Sequence, residues 1–191
     1  MTRSSEDTRA EKLTGTAGRV DRRMRLRAFQ EELVERMQAA RAQTEVRDNR
    51  LGVLIGQQRW LLDLQETGEV VPLAPITKVP LTHDWYLGLL NVRGNLVGII
   101  DFARYQGLAP TEPGPTNRIV TFAPSLGVNC GLLVSRVLGL RNLTEMLAQP
   151  SSPEQSDTWM RNSYRDSESQ EWHGLSLSAV AQEPRFMQIG L

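Results

Sequence analysis

The sequence predicts an all-β domain preceded by one amphipathic α-helix, because the residue pattern changes near position 50. From Leu51 onward, short β-branched and leucine-rich runs alternate with clusters of Gly, Pro, Asn and Asp. Many short strands with frequent turns are typical of sandwiches and barrels and not of βαβ units. The candidate strands are 51–55, 59–64, 68–72, 86–92, 95–101, 117–123 and 130–138.

The segment 85–101 is predicted to be a β-hairpin whose strands are unusually apolar. Two apolar runs, 86–90 and 96–100, flank the polar kink 91–95. Gly94 can adopt a positive φ without steric cost, and Asn95 tolerates one better than most residues. We expect both faces of these strands to be buried, and Arg93 to be the one charge at their turn. The apolar residues that predict this burial are Leu89, Leu90, Leu96, Ile99 and Ile100.

The first 47 residues divide into two parts. Residues 1–18 are rich in Ser, Thr, Gly and charge, which is typical of a disordered arm. Residues 19–47 are predicted to form an amphipathic helix, since apolar residues follow a 3,4,4,3 spacing. We expect this stripe to pack on the protein's own domain, 48–191. A coiled coil is the alternative, although the pattern lasts for few heptads. The stripe consists of Leu26, Phe29, Leu33, Met37 and Ala40.

Composition and charge argue against nucleic-acid binding, membrane insertion and secretion. The 191 residues carry a formal net charge of zero, so no global field attracts nucleic acid or an anionic membrane. No run approaches the ~18 apolar residues of a membrane span, and the N-terminus has no apolar core of a secretory signal. We therefore expect a cytoplasmic protein without membrane insertion. The single cysteine, Cys130, lies in an apolar strand pattern and is expected to be a buried, inert thiol.

The chain lacks a recognisable catalytic or cofactor motif. The two histidines, His83 and His173, lie 90 residues apart, and neither has a cysteine or carboxylate at a metal-ligand spacing. A Walker loop, a dinucleotide-binding fingerprint and a nucleophile elbow are also missing from the sequence. We therefore predict no catalytic residue, no metal site and no cofactor.

Several sequence blocks, in order along the chain, carry a family resemblance. The central block combines Gly88, the turn 91–94 (Asn-Val-Arg-Gly) and the strand end 99–101 (Ile-Ile-Asp). Further blocks lie upstream at Gly56, Trp60, 62–64 and 76–80, and downstream at 131–140. Together they resemble the CheW-like domain, the adaptor module of bacterial chemosensory arrays. The resemblance spans 51–143 clearly and 157–190 loosely.

The resemblance implies a fold, a function and a set of contact residues. The implied fold is two small β-barrel subdomains around a shared apolar interface. The implied function is non-enzymatic coupling of a methyl-accepting chemoreceptor to a CheA-type histidine kinase. Arg93 would bind the receptor at a cleft between the subdomains, with Asn91 and Gly94 shaping the turn that aims it. Leu62 and Val70 would contact the kinase, and for both residues an ordinary core position is the alternative.

Within the family, two features resemble the adaptors of type IV pilus systems. These are the long N-terminal arm and the tail 184–190, and they predict a role in twitching motility at membrane-bound receptor arrays. A small β-barrel nucleic-acid-binding module is the alternative, although the neutral centre of the chain argues against it.

Overall fold

The computed structural model describes residues 48–150 and 158–191, which belong to one compact unit. The predicted arm 1–18 and the predicted helix 19–47 lie outside the described residues. The strands are β1 Asn49–Ile55, β2 Gln58–Asp63, β3 Thr67–Pro72, β4 Tyr86–Val92, β5 Asn95–Ile100, β6 Arg118–Phe122, β7 Cys130–Val134, β8 Arg136–Asn142, β9 Leu147–Gln149, β10 Met160–Arg165 and β11 Glu171–Leu175. The α-helices are α1 Phe102–Tyr105, α2 Leu177–Gln182 and α3 Pro184–Met187.

The strands form two sheets, which confirms the predicted all-β class. One sheet has six strands in the order β8-β1-β2-β11-β10-β9, and the other has five in the order β3-β6-β7-β5-β4. Most neighbouring strands are antiparallel, but β11 pairs with β2, and β5 with β7, in parallel. Each parallel pair joins strands that are distant in the sequence, so the hairpin pattern alone could not predict either pairing.

The predicted single strand 130–138 is wrong, because the chain changes sheet at Ser135. β7 lies between β6 and β5 in the five-stranded sheet, whereas β8 is an edge strand of the other sheet and pairs with β1. The Ser135 amide donates to the Leu54 carbonyl at 2.8 Å, which holds the crossing against β1. β7 is buried throughout, whereas β8 is exposed or half-buried, so the apolar residues on the two sides of Ser135 have different environments.

The main hydrophobic core lies between the two sheets, as the family resemblance implied. One face of β1 contributes Leu51, Val53 and Ile55, while the five-stranded sheet contributes buried residues such as Val120 and Leu132. Aromatic rings fill the middle of this interface. The ring centroids of Phe102 and Trp159 lie 5.0 Å apart in an edge-to-face arrangement that aromatic pairs favour. All four tryptophans of the chain are buried: Trp60, Trp85, Trp159 and Trp172.

A second, smaller core lies on the other face of the five-stranded sheet. It contains Leu90, Val97, Ile99, Ile119 and Leu133. Because Ile100 packs into the main core, β5 is buried on both faces from Val97 onward, as predicted. The prediction is wrong for Leu96, which is 59% exposed at the start of this strand, and Leu89 is only half-buried.

The C-terminal part of the chain returns to the core. The segment Leu175–Ala181 contains the end of β11 and most of α2. The Glu66 carboxylate accepts a hydrogen bond from the Leu177 amide at 2.7 Å and so binds the first turn of α2. The Phe186 side chain is buried, whereas that of Ile189 is exposed.

Candidate partner-binding site at the hairpin turn

The hairpin turn places its arginine through backbone geometry. Val92 pairs with Asn95, so Arg93 and Gly94 form a two-residue turn, with φ of 51° and 92°. Two positive φ values are typical of the type I′ turn that suits twisted hairpins. The Asn91 side-chain oxygen accepts a hydrogen bond from the Gly94 amide at 2.8 Å. The positive φ predicted for Gly94 is therefore confirmed, but its partner is Arg93 and not Asn95.

The Arg93 side chain extends from the β4–β5 turn to the other edge strand of the five-stranded sheet. Its Nε lies 3.1 Å from an Oε2 oxygen of Glu69 on β3, which is the opposite edge strand. The two side chains are 78% and 46% exposed, and Arg93 lies at the turn of the hairpin, as predicted. An exposed ion pair contributes little to folding, about 0–1 kcal/mol. Its consequence is a preferred orientation, since it draws the guanidinium toward β3.

Glu69 is itself held in place by a bulge in β3. The β3–β6 register shifts between Thr67 and Val70, and the Thr121 hydroxyl fills the gap. It accepts a hydrogen bond from the Glu69 amide at 2.7 Å and lies 3.3 Å from the Glu69 carbonyl. A Cβ on Gly68 would lie 2.5 Å from this hydroxyl, so a residue without a side chain is needed there. The sequence analysis missed Glu69, because no local pattern marks a partner that lies 24 residues from Arg93.

The other edge of this sheet is closed by main chain. Thr77 and Leu89 exchange two backbone hydrogen bonds of 2.8 Å, which places the segment after β3 against β4. Gly88 has a φ of 129°, and a Cβ there would lie 2.2 Å from the Thr77 carbonyl oxygen. Gly88 is therefore a position where two main chains pack closely together.

The two residues predicted to contact the kinase have opposite environments. Leu62 is 0% exposed in the main core, so its side chain offers no surface to a partner and matches the core alternative. Val70 is 42% exposed on edge strand β3 and follows Glu69 directly. The structure therefore brings Val70 close to the Arg93–Glu69 pair and leaves Leu62 apart from it.

The Arg93 turn does not line the cleft at the junction of the two sheets. That cleft has a volume of about 660 Å³ and lies between the β1–β2 turn and the proline-rich loop 108–117. Its loop is fixed by the buried Asp101, which accepts hydrogen bonds of 2.9 Å from both the Thr111 amide and the Thr111 hydroxyl. Asp101 follows the end of β5, whereas Arg93 precedes its start. The molecule thus has two distinct surface features, at opposite ends of one strand.

The described residues offer little reactive chemistry. Burial raises the pKa of the Cys130 thiol to about 12, so the thiolate is not populated near neutral pH. Among residues 48–150 and 158–191, no three His, Cys, Asp or Glu side chains cluster closely enough to hold a metal ion. The helices of this part of the chain are too short or too polar to cross a membrane.

Comparison with known proteins gives the family context. The CheW-like domain family matches residues 50–183. The chain is 30% identical over 103 residues to a probable chemotaxis protein CheW of Rhizobium etli, covering 54% of this chain and 66% of that protein. It is 32% identical over 94 residues to the protein PilI of Pseudomonas aeruginosa, covering 48% of this chain and 51% of that protein. The chain therefore spans less than two thirds of either relative.

A solved structure supports the fold independently. The crystal structure of scaffolding protein TtCheW from Thermoanaerobacter tengcongensis superposes with a TM-score of 0.58, covering 68% of this chain and 89% of that one. The two sequences are 20% identical over this match, so the likeness concerns the fold. Since the family match covers more than half of the chain and the two-sheet fold agrees with it, the protein belongs to the CheW-like domain family.

Proposed function

We propose that this protein is a non-enzymatic adaptor that couples a methyl-accepting chemoreceptor to a CheA-type histidine kinase. Its membership in the CheW-like family and its likeness to chemotaxis proteins support this role. The proposal assigns the receptor contact to Arg93, Asn91 and Gly94, and the kinase contact to the exposed face of β3 at Val70.

The observation that carries the proposal is the exposed arginine at the hairpin turn, whose side chain pairs with Glu69. A surface arginine usually has considerable conformational freedom, but Arg93 is restricted by its turn and by Glu69. The contact with Glu69 runs through Nε, so Nη1 and Nη2 can bind a carboxylate or two carbonyl oxygens of a partner. Such a preorganised donor loses little entropy on binding.

The two proposed contacts lie on different elements of the five-stranded sheet. Leu96 is exposed and lies opposite Asn91 in the β4–β5 register, so it adds an apolar side chain to the proposed receptor contact. An arginine beside an apolar residue suits a partner surface that combines a carboxylate with aliphatic side chains. The proposed kinase contact, Val70, is exposed on edge strand β3.

The finer proposal is that the adaptor serves a system that controls type IV pilus twitching motility. The similarity to PilI supports it, and so does the long segment that precedes the family match. The proposed location is cytoplasmic, at membrane-bound receptor arrays.

Binding measurements with purified partners test this assignment. The cytoplasmic fragment of the receptor and the CheA-type kinase are titrated separately against the wild type, Arg93→Ala and Val70→Asp. Arg136→Ala and Leu147→Asp are matched controls, since these residues are also exposed but lie on edge strands of the other sheet.

We expect Arg93→Ala to weaken receptor binding by about tenfold or more, because a charge-assisted hydrogen bond is worth roughly 1.5–3 kcal/mol. Kinase binding should change little in this variant, and Val70→Asp should show the reverse pattern. Loss of kinase binding with unchanged receptor binding in Arg93→Ala would mean that the two surfaces are assigned wrongly. Wild-type binding to neither partner would refute the adaptor role.

A further inference from the structure

The C-terminal residues form a backbone contact with the segment that precedes β4. We name residues 188–191 the strap and residues 73–85 the cover segment. The His83 amide donates to the Ile189 carbonyl at 2.9 Å, and the Leu191 amide donates to the Leu81 carbonyl at 3.0 Å. Thr82 and Gly190 lie opposite each other as an antiparallel bridge. The strap is therefore a short added strand, although it belongs to neither sheet.

The cover segment in turn closes the outer edge of β4. β4 is an edge strand, and its one strand neighbour is β5. In the described part of the chain, the residues outside the hairpin that form backbone hydrogen bonds with β4 are Thr77 and His83. The Tyr86 amide at the start of β4 donates to the His83 carbonyl at 3.1 Å. His83 thus binds β4 through its carbonyl and the strap through its amide.

The cover segment is anchored at both ends, since Leu73 and Ile76 pack against the smaller core and Trp85 is buried, but its middle is more exposed. The side chains of residues 77–84 are exposed or half-buried, and Pro80 lacks an amide donor. Leu81 has a φ of 58°, a left-handed conformation that is costly for a residue with a side chain. A segment of this kind keeps one conformation when contacts from outside restrict it.

The strap can restrict the conformation of the cover segment from outside. It follows Phe186, whose buried ring stacks on Trp85 at 6.1 Å and on Phe122 at 6.0 Å. Beyond this anchor, the side chains of Ile189 and Leu191 are exposed, so the strap acts through its main chain. Its effect on the cover segment can therefore be tested without changing the burial of any side chain in the strap.

We propose that the strap holds the cover segment against β4 and keeps the edge of this strand closed to pairing with another chain. Unpaired edge strands are templates for association between sheets, and proteins protect them with covering segments. Without the strap, the Thr77–Leu89 contact should open more often. This inference does not depend on the adaptor role, and its test requires neither receptor nor kinase.

Hydrogen exchange measured by NMR on the full chain tests the proposal. One variant lacks residues 188–191, and a second lacks Leu191 alone and so loses one of the two strap hydrogen bonds. The control variant, I189S/L191S, keeps the main chain and removes the exposed apolar side chains. The reporting amides are those of Thr77, Tyr86 and Leu89, and the amides of the β1–β2 ladder serve as the reference.

We expect the reporting amides to exchange about fivefold faster without Leu191 and more than tenfold faster without the whole strap, because each backbone hydrogen bond contributes about 1 kcal/mol. The reference amides and the I189S/L191S control should exchange as in the wild type. Unchanged exchange at Thr77 and Leu89 in both deletion variants would overturn the proposal. So would equal acceleration at all amides, since the tail would then stabilise the whole fold without a specific effect on β4. If deletion of 188–191 prevents folding, the Leu191 variant decides between these outcomes.

Discussion

Replacement of Gly88 by alanine tests whether the five-stranded sheet is closed by contact between main chains. A Cβ at this position would lie 2.2 Å from the Thr77 carbonyl oxygen and 2.8 Å from the Thr77 carbonyl carbon. Both are backbone atoms, so neither can rotate away. The cover segment must shift, and the two 2.8 Å hydrogen bonds between Thr77 and Leu89 should break.

The expected loss of stability follows from two contributions. A residue with a side chain at a φ of 129° costs about 1–3 kcal/mol. The two broken hydrogen bonds add about 1 kcal/mol each. Gly88→Ala should therefore lower the free energy of unfolding by about 3–5 kcal/mol, which is a large part of the ~5–15 kcal/mol that stabilises a typical domain.

Gly94→Ala is the matched control, and urea denaturation is the assay. Gly94 also has a positive φ, 92°, but a Cβ there would meet nothing within 4 Å. Its substitution should cost the conformational strain alone, about 1–2 kcal/mol. Equal losses for the two variants would refute the reasoning, since the close approach of Thr77 would then contribute nothing.

Three further predictions concern single side chains. Asp101→Ala leaves the Thr111 amide and hydroxyl without their buried acceptor. In urea denaturation, its free energy of unfolding should therefore be about 2–3 kcal/mol lower than that of the wild type. A decrease below about 0.5 kcal/mol would contradict this role. Desolvation is the largest single influence on the pKa of Asp166 and raises it. Hydrogen bonds from Trp172 and from the Gln170 and Glu168 amides, together with the charge of Arg141, outweigh it, so the net pKa lies below its ordinary value of 3.8. The stability that the Asp166 carboxylate contributes is fully present above pH 3.8 and is lost as the pH falls through the lowered pKa. The free energy of unfolding of Asp166→Asn should therefore fall less over this pH range than that of the wild type. Cys130, whose pKa is about 12, should resist iodoacetamide at pH 8 in the folded protein and react in urea; rapid modification of the native protein would contradict its burial.

Local patterns predicted those parts of the fold that depend on neighbouring residues. The β4–β5 hairpin is one example, because Gly94 and two flanking apolar runs define a turn within a short stretch of sequence. The all-β class follows equally from the short apolar runs that alternate with turn residues. The change of sheet at Ser135 was not predicted, because apolar residues resume at Val137 after the two polar residues Ser135 and Arg136, and the partner strands of β7 and β8 lie far away in the sequence.

The candidate site was less predictable, because its contacts are long-range. The sequence indicated that Arg93 lies at a turn, but its pairing with Glu69 depends on how the edges of the sheet approach each other. Leu62 and Val70 both lie on apolar strands, and alternation along each strand cannot tell which face meets the second sheet. The fold decides this, placing Leu62 in the core and Val70 at the surface.

Receptor-dependent kinase activity tests the central proposal most directly. An adaptor shifts the activity of a kinase only through its differential affinity for the kinase's states, so both of its surfaces must work in one molecule. With receptor fragment, kinase and ATP, the wild-type protein should change kinase autophosphorylation only when receptor is present. Arg93→Ala should lose that change and leave the basal rate unaltered, while Arg136→Ala should behave as the wild type. Nucleotide turnover by the protein alone, or a receptor response that Arg93→Ala fully retains, would contradict the account.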